Sequence, residues 1–390
     1  MDRSWRRGTA VLTTVAVVAF MAVACAKSRP PHPSGGLAIV AGGRANMPRL
    51  ALTASAMKMH DDAVLSSDEL FVVGVSGDPQ VLYDEKIENN CDDPTTCGAV
   101  VRQYQSQTAQ LLAATAAKTP EADTLGAIML AARSLTAVQG NGPRRILVID
   151  NGLQTAGDMQ LQGPGALAVD PAAAAKDLSA SDKLRDLRGT EVLFTGLGSR
   201  VDPQGKLSSN TLSRLEKLWR SVLEAGGARV TIDPAPLPEE SASGKPFPKV
   251  TVVPDGDQVT DPGTGCFRIR ADQVGFQPDK PDLVDENAAR KVLEPIAEEL
   301  KRKNVKVTVI GTTAYPETDS VHNPLSHARA ETVVRILESL GVNRSLLIAD
   351  GVGTQFAGYV NPAQGGTANE FIAVRMRLVI ISPVGGSCPA

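Results

Sequence analysis

Between residues 37 and 233, short apolar segments alternate with longer amphipathic ones, and this alternation limits the fold more than any other feature. Five segments are rich in apolar and β-branched residues, which is typical of buried strands: residues 37–41, 69–75, 145–149, 191–195 and 229–232. QVLYD at 80–84 predicts a hairpin partner for the second of them. Strands that alternate with helices need crossover connections, so the pattern predicts an α/β fold with a mostly parallel sheet flanked by helices.

Apolar residues at helical spacing predict the helices between these strands. Such stripes run through residues 101–115, 125–135 and 212–223. Another helix is predicted at residues 48–60, with Pro48 near its first turn, where a missing backbone N–H costs nothing.

The N-terminus has the order of a secretory signal peptide. Three Arg residues within the first seven positions precede a mainly apolar run, residues 10–24, that ends at Cys25. This run is shorter than the ~20 residues that cross the hydrocarbon core of a bilayer. The pattern therefore favours a signal peptide, residues 1–24, over a short transmembrane anchor, which remains the alternative.

The end of that run, Ala22-Val23-Ala24-Cys25, resembles the lipobox of bacterial lipoproteins, with Ala22 in place of the commoner Leu. The resemblance implies that Cys25 carries a diacylglyceryl group, with palmitate among its acyl chains, and becomes the mature N-terminus. Residues 25–36 would then form the lipidated Cys and a Pro/Gly tether. The expected location is the extracytoplasmic face of the cell membrane, held by the lipid anchor.

The remaining four cysteines suit an exported chain. Cys91 and Cys97 lie in a short polar stretch, and Cys266 and Cys388 bracket the C-terminal region. An oxidising compartment predicts a disulfide within each pair. Zinc is the competing interpretation, but CxxC spacing and nearby His partners are absent from the sequence.

The order of elements in residues 37–233 resembles the von Willebrand factor A-like fold. The most specific local match is ADTLGAIMLAARSL followed by RRILVIDNG. The family binds a metal through a DxSxS loop after the first strand, but here Gly42, Arg44 and Asn46 stand at those positions.

The family's second and third metal-binding loops correspond to Thr124 and to Asn151 beside Asp150. Arg44, Thr124, Asp150 and Asn151 are therefore the candidate ligand edge of this domain. Divalent cations need several oxygen ligands and an arginine repels them, so no metal is predicted here. The paired glycines 42–43 lack both phosphate-loop motifs, GxGxxG and GxxxxGK[ST], and predict only a tight turn.

Residues 234–265 are dominated by proline and small polar residues and predict a linker, with VTVV at 250–253 as a candidate edge strand. Beyond it, the sequence predicts strand, helix, strand, helix and strand. The helices are expected at 285–303, with a kink at Pro295, and over the stretch that ends at Gly341. The inner strand is expected at 306–310 and the last one at 375–382.

The segment GTTAYPETDSVHNPLSHARAETVVRIL resembles the OmpA-like peptidoglycan-associated domain. The resemblance implies an OmpA-like α/β sandwich over residues 266–390, with a mixed sheet and helices on one face. The matching residues keep the family's spacing: Gly311, Thr313, Leu325, Ser326, Arg329, Ala330, Val333 and Leu337.

In that family an Asp and an Arg grip the diaminopimelate residue of the peptidoglycan stem peptide. Its free end is zwitterionic, so the acid takes the ammonium and the Arg forks onto the carboxylate. Arg329 keeps one half of this clamp, but the Asp position is Ala314. Glu317 or Asp319 is the expected substitute. The peptidoglycan-binding prediction therefore comprises Arg329, Thr313, Asp319, Glu317 and Asn323.

A net charge of −3 argues against nucleic acid as a partner. With four His residues and no GxSxG or HExxH motif, the chain is not expected to be an enzyme, and no cofactor is predicted. The predicted function is a lipid-anchored envelope protein that binds peptidoglycan through one domain and an unidentified envelope protein through the other. The alternative is an adaptor whose OmpA-like domain no longer binds glycan.

Overall fold

Two β-sheets organise the chain in the computed structural model. The structure describes residues 33–163, 165–184, 187–238, 247–255, 265–271, 273–316, 324–364, 366, 368–386 and 388. All of them belong to one self-contained unit, His32–Ala390. Residues 33–255 are called the N-terminal part below, and residues 265–388 the C-terminal part.

The N-terminal part contains a six-stranded sheet of order β3-β2-β1-β4-β5-β6. Its strands are β1 (Gly36–Ala41), β2 (Glu69–Gly74), β3 (Gln80–Lys86), β4 (Arg144–Ile149), β5 (Thr190–Thr195) and β6 (Arg229–Ile232). All neighbours pair in parallel except β2 and β3, which form the predicted antiparallel hairpin. The prediction of a mostly parallel sheet is confirmed.

Helices cover both faces of this sheet. They are α1 (Ala54–Leu65), α2 (Pro94–Ala114), α3 (Thr124–Ala137), α4 (Pro171–Ala180) and α5 (Ser209–Ala225), with a short 3₁₀ helix at Ala166–Ala168. Successive side chains of β1 point to opposite faces. Leu37 and Ile39 therefore pack with α1 and α2, whereas Ala38 and Val40 pack with α3 and α5. This two-sided burial explains why β1 is apolar at every position.

The helices of the N-terminal part differ from the sequence prediction in two details. The helix expected at 48–60 begins only at Ala54, because the Thr53 side chain caps it by accepting a hydrogen bond from the Ala56 N–H. Pro48 lies outside that helix. Helix α4 was not predicted, since its Ala-rich sequence carries no clear apolar stripe.

The expected edge strand at 250–253 does not form; those residues are described, and none of them belongs to a strand. Val250 and Val253 are nevertheless buried. The Gln204 side chain donates to the Val253 carbonyl (2.7 Å) and accepts from its N–H (3.0 Å). This stretch can therefore pack against the rest of the N-terminal part, because Gln204 forms hydrogen bonds with both the backbone N–H and the backbone carbonyl of Val253.

The C-terminal part contains a mixed four-stranded sheet of order β7-β10-β8-β9. Its strands are β7 (Phe267–Arg270), β8 (Val307–Thr312), β9 (Leu347–Gly353) and β10 (Leu378–Pro383). Helices α6 (Glu286–Lys303) and α7 (Pro324–Ser339) pack against it, and a short helix α8 (Glu370–Met376) precedes β10. A 3₁₀ helix lies at Arg344–Leu346. None of the helices in the described part of the chain is long and apolar enough to cross a membrane.

Here too the prediction was partly wrong. The strand expected at 375–382 is divided, because Arg375 and Met376 end α8 and β10 starts at Leu378. Strand β9 was not predicted, since its sequence LIADGVG contains Asp and two Gly residues. Helix α6 does run to Lys303 and contains Pro295. Gly341, which follows α7, has the positive φ of 91° expected of a residue after a helix C-terminus.

Both predicted disulfides are present. Cys91 and Cys97 close a loop at the start of α2. Cys266 and Cys388 join the residue before β7 to the segment after β10, with their Cα atoms 5.7 Å apart. The second bridge therefore ties together the two ends of the C-terminal part.

Helix α8 connects the two parts. Phe371 and Val374 are buried in the core of the N-terminal part. Ala373 and Met376, on the same short helix, pack against Ala314 of the C-terminal part. The two sheets are thus joined by shared apolar packing as well as by the chain.

Candidate functional site

The four residues of the predicted ligand edge meet at the carboxyl ends of β1 and β4. The Arg44 Nη2 atom lies 2.8 Å from Asp150 Oδ2 and donates to Asn151 Oδ1 at 3.1 Å. The Thr124 hydroxyl donates to Asp150 Oδ1 at 3.1 Å. Thr124, Asp150 and Asn151 are fully buried, and Arg44 is only 2% exposed.

This geometry places a fixed positive charge against the one carboxylate of the edge. Asp150 Oδ1 also accepts the Gly152 N–H at 2.8 Å, whereas Oδ2 has the ion-pair contact with Arg44. The edge is closed to large ligands because all four side chains are buried. Among the described residues, no group of three or more His, Cys, Asp and Glu side chains is arranged to hold a metal ion. That this edge binds no metal stays a prediction.

A second polar cluster, which the sequence did not reveal, joins α1 to α2. His60 Nδ1 lies 3.1 Å from Asp61 Oδ1, and His60 Nε2 lies 3.0 Å from the Thr108 hydroxyl. The order acid, imidazole, hydroxyl is that of a nucleophile with its base. His60 and Thr108 are both 0% exposed, so no substrate reaches them. The cluster acts as a buried hydrogen-bonded link between two helices.

Arg329, the central residue of the peptidoglycan-binding prediction, lies on α7 and is 7% exposed. Its Nε donates to the Lys280 carbonyl at 3.1 Å, and its Nη2 donates to the Gln277 carbonyl at 3.5 Å. The guanidinium carbon lies 5.2 Å from the centre of the Phe276 ring. Phe276 and Leu283 form a β-bridge, so residues 276–283 make a hairpin. The carbonyls that Arg329 contacts belong to this hairpin.

Thr313 directly follows β8. Its N–H donates to the Gly353 carbonyl at 2.9 Å, and the Gly353 N–H donates to the Ser326 hydroxyl at 3.2 Å. Helix α7 approaches the sheet so closely here that a Cβ on Gly311 would lie 2.0 Å from the Ser326 carbonyl oxygen. Glycine is therefore required at 311, and this close packing sets the position of Arg329 relative to Thr313.

Ala314, which stands where the family has its Asp, is 4% exposed. It packs with Ala373 and Met376 of α8, and three half-buried aromatic residues surround this cluster: Tyr315, Phe356 and Tyr359. The Tyr359 hydroxyl donates to the Ala314 carbonyl at 3.0 Å. Position 314 is therefore apolar and closed, which the spacing of the motif did not indicate.

An ion pair that the sequence analysis missed lies beside this cluster. Arg377 binds Glu370 through both carboxylate oxygens, one of them at 3.0 Å. Burial acts to lower the pKa of Arg377, but the hydrogen bonds and charge of Glu370 outweigh it and raise that pKa. Burial, reinforced by the charge of Glu370, raises the pKa of Tyr315. The pair links the start of α8 to the residue after its end.

Four other predicted site residues lie outside the described residues. They are Cys25, Glu317, Asp319 and Asn323. The predictions made for them are therefore not tested by the structure.

Comparison with known proteins identifies the C-terminal part. The profile of the OmpA family matches residues 275–370. The OmpA-like domain of FopA1 from Francisella tularensis subsp. tularensis SCHU S4 is 21% identical, with 30% of this chain and 72% of that chain covered and a TM-score of 0.23. The periplasmic domain of Helicobacter pylori MotB is 19% identical, with 30% and 81% covered and a TM-score of 0.25.

A third similar structure is described as the cell wall anchor of the T6SS from Pseudomonas aeruginosa. It is 24% identical, with 30% of this chain and 78% of that chain covered and a TM-score of 0.24. No curated protein matches the sequence. The family match assigns residues 275–370 to an OmpA-like domain.

Proposed function

We propose that this chain is a lipid-anchored protein of the bacterial cell envelope that binds peptidoglycan non-covalently through its OmpA-like domain. The observation that carries the proposal is the OmpA family match over residues 275–370, in which Arg329 keeps the family's arginine position on α7. Arginine binds carboxylates through two parallel hydrogen bonds. In this structure Arg329 donates to the carbonyls of Gln277 and Lys280, so a bound carboxylate would replace these contacts. The ligand is the diaminopimelate side chain of the stem peptide, whose free end carries one carboxylate and one ammonium.

The experiment that tests this proposal is co-sedimentation of residues 32–390 with two peptidoglycans. One has diaminopimelate in its stem peptide and the other has lysine, which lacks the side-chain carboxylate. We expect binding to the diaminopimelate form alone. Replacement of Arg329 by Lys keeps the charge but loses the fork, so affinity should fall by roughly 10- to 100-fold, the equivalent of about 1.5–3 kcal/mol. Equal binding to both peptidoglycans would refute recognition of the stem peptide.

A second candidate function is an envelope adaptor whose OmpA-like domain no longer binds glycan. The burial of Ala314 favours it, because a closed apolar position cannot supply the family's acid. Failure of residues 32–390 to sediment with either peptidoglycan would support this alternative. Capture of a protein partner by the same chain would then define its role.

For the N-terminal part we propose a von Willebrand factor A-like domain that presents a surface to an envelope protein. The sheet order β3-β2-β1-β4-β5-β6 with an antiparallel β3 supports the assignment. The contact of Arg44 with Asp150 supports partner binding without a bridging metal ion, because the guanidinium already neutralises the carboxylate. We propose no cofactor and no enzymatic activity. Titration calorimetry with Mg²⁺ or Ca²⁺ tests the metal prediction, and micromolar binding would refute it.

The lipid anchor is proposed to be Cys25, with residues 25–36 as the tether and the extracytoplasmic face of the membrane as the location. Replacement of Cys25 by Ala should release the protein from the membrane fraction or leave its signal peptide uncleaved. Unchanged fractionation and processing of that variant would refute the anchor.

A further inference from the structure

We propose that residues 247–255 form a strap that closes the ligand edge of the N-terminal part and detaches from it while the domain stays folded. The inference rests on the proposed function, because the strap would regulate the partner binding proposed at that edge. The segment lies in the stretch that the sequence predicts as a linker, residues 234–265. Val250 and Val253 are buried, so it packs onto the N-terminal part instead of standing free in solvent.

One end of the strap lies on the loop that carries Arg44. The Phe247 ring is 3.5 Å from where a Cβ on Gly43 would lie, and Gly43 directly precedes Arg44. The Thr251 hydroxyl donates to Glu121 Oε1 at 2.7 Å, in the loop that leads into α3. The strap therefore contacts two of the loops beside the ligand edge.

The other end of the strap is fixed beside α5. Gln204, in the loop after β5, forms the two hydrogen bonds to the backbone of Val253. The Asp255 carboxylate accepts the Ser208 N–H at 2.7 Å and the Thr211 hydroxyl at 2.6 Å, at the start of α5. In the sheet, β4 lies between β1 and β5. The strap thus joins the loops on either side of the carboxyl end of β4, the strand after which the edge carboxylate follows.

The attachment of the strap is weaker than that of the elements around it. None of its residues belongs to a helix or a strand. Within the described ranges, no backbone–backbone hydrogen bond joins it to another segment, so each of its polar contacts depends on a side chain. Segments held in this way open at a lower free energy than the whole domain. We therefore expect the strap to detach in a local event.

The closed edge contains polar atoms without partners. Arg44, Asn46 and Asn151 are at most 3% exposed. Among the described residues, three of their atoms have no hydrogen-bond partner: Arg44 Nη1, Asn46 Oδ1 and Asn151 Nδ2. A buried polar group in this state carries a free-energy cost, which is removed when water or a ligand reaches it. Opening of the edge would relieve that cost, which brings the free energies of the closed and open states closer together.

The strap makes the availability of the edge a two-state equilibrium. A partner that binds only the open edge has its apparent affinity reduced by the fraction of molecules in which the strap is detached. Any change that loosens the strap therefore strengthens partner binding without altering the edge itself. The closed state described here is the inhibited one.

The test measures how fast a thiol reagent labels single introduced cysteines in residues 32–390, whose four native cysteines are paired in disulfides. Gly43→Cys places a thiol beside the Phe247 ring. Ala38→Cys, in β1 at 0% exposure, reports on unfolding of the whole domain. Each rate is measured with the native strap and with Thr251→Val.

Thr251→Val removes the hydrogen bond to the Glu121 carboxylate, so the Gly43→Cys thiol should label roughly 10- to 100-fold faster. The Ala38→Cys thiol should keep its rate, and the urea midpoint followed by Trp219 should not change. Val252→Ala is the matched control on the strap, because Val252 is 40% exposed, and it should leave both rates unchanged.

Two outcomes would overturn the inference. If the Gly43→Cys and Ala38→Cys thiols label at one common rate in both backgrounds, the strap opens only when the domain unfolds. If the Gly43→Cys thiol labels as fast as an exposed thiol with the native strap, the edge is not closed.

A second measurement needs no introduced thiol and applies if Gly43→Cys does not fold. Hydrogen exchange of the Val253 amide, which Gln204 accepts at 3.0 Å, should be faster in Thr251→Val than in the wild type. An unchanged exchange rate would overturn the inference. Neither measurement requires a partner, so a detachable strap whose open edge captures no envelope protein would refute the role proposed for the N-terminal part and leave the strap established.

Discussion

Replacing Arg44 by Met should strongly destabilise the N-terminal part. The substitution removes the only cation that the described residues place in an ion pair with Asp150 and leaves the 0% exposed carboxylate behind. Removing one partner of a buried ion pair typically costs about 3–5 kcal/mol, because the remaining charge is desolvated without compensation. The Thr124 and Gly152 hydrogen bonds to Asp150 reduce this cost without cancelling the charge.

Tryptophan fluorescence reports on this site. Residues 32–390 contain a single tryptophan, Trp219. It is buried, and its indole N–H donates to the Gly152 carbonyl at 3.0 Å, next to Asn151 of the candidate site. The m-value in urea is about 1–3 kcal/mol/M for small proteins and increases with size, so at about 3 kcal/mol/M the expected loss shifts the midpoint by about 1–1.7 M.

Two controls make the result specific. Arg229→Met removes an ion pair with Glu191 in which the side chains are 71% and 41% exposed, so it should cost at most about 1 kcal/mol. The double variant Arg44→Met with Asp150→Asn removes both buried charges and should lose less than the sum of the single variants. A midpoint for Arg44→Met that coincides with that of Arg229→Met would refute the assigned role of the buried pair.

Three further predictions concern stability. Phe371→Ala should lower the free energy of unfolding by about 3–5 kcal/mol, because it opens a cavity where α8 enters the core. Val360→Ala is the control: Val360 is 42% exposed, so this variant should have little effect in the same urea titration. Equal midpoints for the two variants would contradict the packing role of α8. Replacing Cys266 and Cys388 by Ala should lower the free energy of unfolding by several kcal/mol, up to about 5 in the loop-entropy model, since the bridge joins residues 122 positions apart in the sequence. Unchanged thermal unfolding of this variant would contradict the prediction. Burial raises the pKa of Asp123 above its usual 3.8, so the folded protein holds this proton more tightly than the unfolded chain does. The stability gained from the protonated carboxyl is therefore complete below pH 3.8 and is lost as the pH rises through the raised pKa. The wild type should therefore lose stability relative to Asp123→Asn between pH 3.5 and pH 7, and parallel urea midpoints across that range would show that the charge is not desolvated.

Elements whose sequence shows one dominant pattern were predictable. Strand β1 is apolar throughout because both faces are buried, and α5 carries its apolar residues on one side around Trp219. Elements defined by tertiary contacts were not. Strand β9 contains Asp350 and two glycines. One of these glycines, Gly351, is required because a Cβ there would lie 2.3 Å from the backbone nitrogen of His327. No local pattern encodes that close approach.

The same distinction applies to the candidate sites. The resemblance to the von Willebrand factor A-like fold placed Arg44 and Asp150 at one edge of the sheet, because its metal-binding loops follow parallel strands there. Spacing did not indicate that the guanidinium would be buried against the carboxylate, which depends on how the loops close above them. Nor did it indicate the hairpin at residues 276–283 whose carbonyls accept from Arg329, since that hairpin is separated from α7 by a helix and a strand.

Helix α8 explains why the two parts of the chain should be studied together. One set of its side chains, Phe371 and Val374, is buried in the N-terminal core. Another set, Ala373 and Met376, packs against Ala314. A fragment limited to the OmpA-like domain would expose the first set to water, and the resulting shift of α8 would disturb the second, which packs against Ala314 beside Thr313. Peptidoglycan binding measured on such a fragment would therefore report on an altered site, whereas residues 32–390 keep α8 packed on both sides.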